Sequence, residues 1–185
     1  MSSKKPRAPR VEDLRPHEHM AVLTRLAQRN DAVGKAVREE IERLIAGVDV
    51  EAVAAEVEMD LAGIDEDEIA ARSGEDRYGY TAPYEAAWQV LEETLQPHVE
   101  RLSWFYDAGR HDACDAYALG VLRGIYDFHL EGDAPWKESA PDDLRELFGW
   151  VLREWQGRRT GVAERQTMRD HLATWCPTWE RDAGV

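Results

Sequence analysis

The sequence predicts an all-α fold, an array of about eight helices in antiparallel hairpins. Three observations carry this. Apolar residues recur at spacings of three and four along most of the chain. Residues that open helices (Asp, Ser, Pro) precede these stripes and glycines follow them. The alternating period that strands require is nearly absent.

Pro16 suits the first turn of a helix reaching about Asn30, with Met20, Leu23, Leu26 and Ala27 on one face. Asp31 reads as the N-cap of a second helix that carries Val33, Val37, Ile41, Leu44 and Ile45 inward and ends at Gly47. Asp49 caps a third, striped by Val53, Val57 and Leu61. Asp65 and Glu68 have the spacing of a capping box, opening a short piece that stops near Gly74. Residues 73–83, SGEDRYGYTAP, read as a loop.

A long helix is expected from Thr81 or Pro83 to Ala108, striped by Trp88, Leu91, Leu95, Val99 and Leu102, and kinked at Pro97. Gly109 ends it, and Asp112 or a neighbour opens a helix reaching Leu130. There Ala116, Gly120 and Gly124 fall four apart. Two glycines inside a helix cost about 1 kcal/mol each relative to alanine, so their face is expected to lie close against another helix. A loop over 131–141 leads to a pair of helices. The first is capped by Ser139 and carries Leu144, Leu147, Phe148, Val151, Leu152 and Trp155. The second carries Met168, Leu172 and Trp175 and is halted by Pro177.

The stretch 103–117, SWFYDAGRHDACDAY, places an aromatic at Phe105 or Tyr106, a turn at Gly109, a helix start at Asp112 and a small residue at Ala113 or Cys114. It resembles the helix–turn–helix junction of the tetratricopeptide-type repeats, although no 34-residue period follows and Arg101–Leu102 depart from the pattern. The resemblance implies a non-enzymatic scaffold whose helical surface binds proteins.

Charge narrows the partners. Thirty-seven acids against 23 bases give −14, and four of the bases lie in the acid-free first ten residues. The expected organisation is a disordered basic tail over 1–12 and a single acidic α-helical domain over 13–185. Residues 49–76 hold eleven acids and only Arg72, a net −10, whereas five of the seven tryptophans lie from Trp136 onward. This balance argues against a broadly basic nucleic-acid binder, leaving weak contact through the tail. It also argues against binding to anionic membranes. With no apolar stretch of about 18–20 residues and no apolar signal segment, a cytoplasmic protein is expected.

Catalytic signatures are absent: there is no Gly-x-Ser-x-Gly, no phosphate-binding loop and no Glu-x-x-His. His111, Cys114, His171 and Cys176 lack the paired spacings of zinc sites, and Asp65–Glu68 fits no EF-hand register. No catalytic residue, cofactor or metal ligand is assigned. Two features suit binding: Arg77, Tyr78, Tyr80 and Tyr84 around Gly74 and Gly79, and Trp179, expected to be exposed beyond Pro177. The leading expectation is a non-catalytic adaptor that recognises a protein through a helical groove or the tyrosine-rich loop. Alternatives are an acidic nucleic-acid mimic or inhibitor of a basic protein, and a metal-binding protein or enzyme using the His111/Cys114 region.

Overall fold

The computed structural model describes residues 14–77, 79–138 and 142–179. The tail over 1–12, Tyr78 and the Ser139 cap lie outside the described residues. Among those described are eight α-helices, one short 3₁₀ turn and one two-stranded hairpin, so the all-α class holds. The chain divides into two compact units at Gly47–Val48.

The first unit contains α1 (Pro16–Ala27) and α2 (Ala32–Ala46). The Asp31 carboxylate caps α2 by accepting from the Val33 and Gly34 N–H groups, both at 3.1 Å. Arg38 of α2 donates to the carbonyls of Ala27 and Arg29, which fastens the end of α1 to its partner helix. The expectation that the α2 stripe points inward is corrected at Val33 and Ile41, which are exposed, as are Met20 and Leu23 on α1; Val37 and Ile45 are half-buried, and the Leu44 side chain lies outside those described. Among the described side chains of this unit no apolar one is buried. Two helices meet along a single line, too narrow to cover both apolar arcs.

The second unit opens with α3 (Val50–Ala62), capped by Asp49 as expected. In α4 (Glu66–Arg72) Asp65 accepts from the Asp67 N–H at 3.0 Å. The expected capping box does not close, because the Glu68 carboxylate pairs with Arg72 at 2.6 Å instead. The segment read as a loop contains an antiparallel hairpin, β1 (Gly74–Asp76) with β2 (Gly79–Thr81), in register Gly74 to Thr81. Its glycines have φ of +107° and +144°, conformations an L side chain rarely adopts. Three-residue strands are too short to show an alternating pattern.

Helix α5 (Pro83–Asp107) runs through Pro97, and α6 (His111–Glu131) follows a turn at Gly109. α6 is the hub of this unit, packed against α3, α5, α7 (Asp143–Arg158) and α8 (Val162–Trp175). The close approach read from Gly120 and Gly124 is with α3. A Cβ on Gly124 would stand 2.5 Å from the Ala54 carbonyl oxygen, and one on Gly120 would stand 2.7 Å from the Val53 Cβ. After α6, Lys137 donates to the carbonyls of Phe128, His129 and Gly132, closing the helix C-terminus. Beside it Trp136, in the 3₁₀ turn Pro135–Glu138, is buried, stacks on Phe128 and donates to the Leu61 carbonyl. No helix among the described residues is long and apolar enough to cross a membrane.

Candidate functional site

The second unit has a cleft of about 340 Å³ bounded by the start of α3, the first half of α6, the end of α7 and one face of α8. Its apolar surface comes from Val50, Ala116, Leu119, Met168, Trp155 and Trp175. Of these, Leu119, Met168 and Trp155 are buried.

Polar order inside the cleft centres on Asp115. Its Oδ1 accepts from the Trp155 indole at 2.8 Å and from Arg159 Nε at 2.9 Å, while Oδ2 accepts from Arg159 Nη2 at 2.9 Å. This two-pronged pair is geometrically specific, and the Arg159 side chain is only 12% exposed. The Asp115 carboxylate holds Arg159 more firmly protonated. Arg159 also lies 3.7 Å from the Glu164 carboxylate and donates to His111 Nδ1 at 3.3 Å. Asp112 and His171 complete the rim. Two carboxylates, Asp115 and Glu164, thus face the Arg159 guanidinium, Asp112 adds a third on the rim, and the Arg123 guanidinium lies 5.0 Å over the Trp175 ring.

Of the tyrosine-rich candidates, the described Arg77, Tyr80 and Tyr84 do not line this cleft. Arg77 occupies the hairpin turn and is exposed; Tyr80 on β2 is 68% exposed. Tyr84, exposed in the first turn of α5, lines a second, shallower depression of about 400 Å³ with Trp88, Glu85, Gln89, Asp143 and Glu146. There the Asp143 carboxyl is pushed upward in pKa by burial and then by Glu146 and Asp142.

Trp179 departs from its expected exposure. It is buried, edge-on to Tyr126 and Phe148 at 5.2 Å and 4.6 Å from the His129 ring. Pro177 ends the helix, and the Trp179 N–H then bonds to the Cys176 carbonyl, folding the chain back onto its own aromatic cluster. Trp179 is core, and it is not available to a partner in this fold.

Among the described residues, no group of three or more His, Cys, Asp or Glu is placed to hold a metal ion. Both cysteines are free and buried. Burial pushes the Cys114 thiol up to about 11 and the Cys176 thiol to about 12, opposite to what a nucleophilic thiolate needs. The His111 ring is stacked on Tyr106 at 5.2 Å.

Sequence reasoning missed His98. It is 4% exposed, with Nδ1 2.8 Å from the Tyr117 hydroxyl and Nε2 2.9 Å from Asp60. Its signal was a histidine within the periodic stripe of α5, between Leu95 and Leu102. The side chain ties α3, α5 and α6 together. At Phe105–Cys114 α5 turns into α6, with Phe105, Ala113 and Cys114 buried. No protein-family model, curated protein or solved structure matches the chain.

Proposed function

We propose that the protein is a non-catalytic α-helical adaptor whose second unit receives a basic segment of a partner protein in the α3–α6–α7–α8 cleft. One observation carries this reading: an apolar floor containing two tryptophans, with Asp112, Asp115 and Glu164 on the rim beside the guanidinium of Arg159, and with Arg123 already placed over the Trp175 ring at 5.0 Å as a cation would be. A lysine or arginine side chain has the matching form, an apolar stem and a cationic tip. The field of the unit supports it, because residues 48–185 hold thirty acids and thirteen bases, a net −17, which steers cations toward it.

The Trp155 indole N–H, fixed on Asp115, is a built-in reporter. Titrating ¹⁵N-labelled protein with a short peptide of leucines and arginines should shift the indole signals of Trp155 and Trp175 before those of Trp88 or Trp136. Asp112→Lys should weaken binding at least tenfold, and added salt should weaken it too. Shifts confined to other indoles, or binding indifferent to Asp112→Lys, would reject the cleft.

The acidic-mimic reading rests on the net −10 over residues 49–76. Part of that charge is engaged internally: Glu51 with Arg123, Asp60 with His98 and Glu68 with Arg72. A partner of that kind would bind along α3 and α4, and substitutions at Glu66 and Asp67 would then matter more than one at Asp112.

A further inference from the structure

The first unit is a pair of amphipathic helices with no buried apolar side chain among those described, and that is an unfinished core. At about 100° per residue, Met20, Val22, Leu23, Leu26 and Ala27 span an arc of roughly 160° on α1. A single neighbouring helix covers much less. On α2, Val33, Val37, Ile41 and Ile45 follow one another at intervals of four. Leu26, Ala27, Val37 and Ile45 are half-buried in the hairpin, whereas Met20 (64%), Leu23 (48%), Val33 (45%) and Ile41 (39%) remain exposed.

We infer that this face is covered by the same face of a second copy of the chain, the two hairpins closing into a four-helix bundle. Charge selects the occupant. Residues 14–47 carry six bases and five acids. They are interleaved enough to pair within the hairpin, as in Arg29–Asp31, Arg43–Glu40 and Lys35–Glu39. Such a near-neutral surface neither attracts a strongly charged partner nor repels its own copy, whereas two copies of the −17 unit repel each other. Geometry agrees: helices of 12 and 15 residues are about 18 and 22 Å long and pack 8–10 Å apart. Two such hairpins face to face bury about 1,000 Å² in total, the lower limit for a specific interface. Such a dimer would form in a concentration-dependent equilibrium with monomer, and its twofold contact is the self-complementary kind expected of homodimers.

Sedimentation velocity of the full chain tests this, from low to high micromolar concentration. The expected result is a monomer–dimer equilibrium that Met20→Glu with Ile41→Glu shifts to monomer, weakening association at least tenfold. Met59→Glu, on the exposed face of α3, should leave it unchanged. A wild-type monomer throughout would overturn the inference. So would a dimer that survives the double substitution, or one that Met59→Glu disrupts equally. Because the double variant can also loosen the hairpin, hydrogen exchange of the unmodified protein gives an independent reading. Protection of the α1 and α2 amides should rise with protein concentration, and protection indifferent to concentration would count against the dimer.

Discussion

Replacing Gly124 by alanine sets two effects of opposite sign against each other. In an open helix the change gains about 1 kcal/mol. Here the new Cβ would stand 2.5 Å from the Ala54 carbonyl oxygen and 2.8 Å from the Val57 Cβ, where ordinary contact begins at 3.4 Å. The shortfalls are 0.9 and 0.6 Å. One is against backbone, which no rotamer change relieves, so α3 itself must move. Overpacking of this kind costs about 1–3 kcal/mol per insertion, and two colliding neighbours place it at or above the top of that range. The net expectation is a loss of about 2–3 kcal/mol, or a fall in melting temperature of roughly 6–12 °C. Gly149 and Gly157 in α7 are the controls. A Cβ at Gly149 would meet only the mobile end of Arg153 at 3.3 Å, and one at Gly157 would meet nothing within 4 Å. Both alanine variants should gain up to about 1 kcal/mol. All seven tryptophans lie beyond residue 47, so their fluorescence in urea reports the second unit alone. A Gly124→Ala variant as stable as the parent, or three variants shifting in the same direction, would refute the close α3–α6 contact.

His98→Ala should cost about 2–4 kcal/mol in urea denaturation, since it leaves a cavity and strands the buried Tyr117 hydroxyl. A double-mutant cycle with Tyr117→Phe should show coupling, and strict additivity would disprove the link. Asp115→Ala removes the partner of both Arg159 and the Trp155 indole; a loss of about 2–3 kcal/mol is expected, with Asp115→Asn recovering only part. Stability should form a plateau in pH. Burial raises the Cys114 thiol to about 11, and the Cys176 thiol and Tyr117 hydroxyl to about 12. The unfolded chain therefore sheds protons that the native state keeps, and stability falls as pH climbs from about 9 toward 12. On the acid side burial, aided by Lys137 and Arg145, lowers the His129 pKa, so that contribution is lost as pH falls below about 6.5. His129→Gln should flatten the acid limb, and stability rising above pH 9 would contradict the burial of the thiols. Both cysteines should resist a thiol reagent at pH 8 until urea unfolds the chain.

Local chemistry made much of this fold legible. Asp31, Asp49 and Asp65 cap helices because a short carboxylate before a periodic stripe has few better uses. Gly120 and Gly124 foretold a close helix contact because their entropic cost demands one. Features decided by tertiary packing stayed hidden. Trp179 follows a proline, which locally signals a chain end leaving the core; only the assembled Tyr126, His129 and Phe148 pocket draws it back. The apolar stripes of α1 and α2 look in sequence like those of α5 and α6, yet among the described side chains those of α5 and α6 are buried and those of α1 and α2 are half-buried or exposed. The cleft was anticipated only as an unspecified helical groove, because Asp115 and Arg159 are 44 residues apart and nothing in either neighbourhood points to the other.

The two proposed surfaces strengthen each other through valency. A cleft of about 340 Å³ that accepts one or two side chains supports weak binding, in the range where a few good contacts set the affinity. Pairing of the hairpins would place two such clefts in one particle. A partner with two basic segments could then bind with an avidity 10²–10⁴ times either single affinity, provided its spacing permits both to engage. A partner with one segment gains nothing. Tenfold weakening of the hairpin contact by Met20→Glu with Ile41→Glu should thus leave single-peptide binding at the cleft unchanged while sharply reducing capture of a tandem peptide. Equal effects on both peptides would show that the hairpin acts on the cleft itself and not by bringing two clefts together.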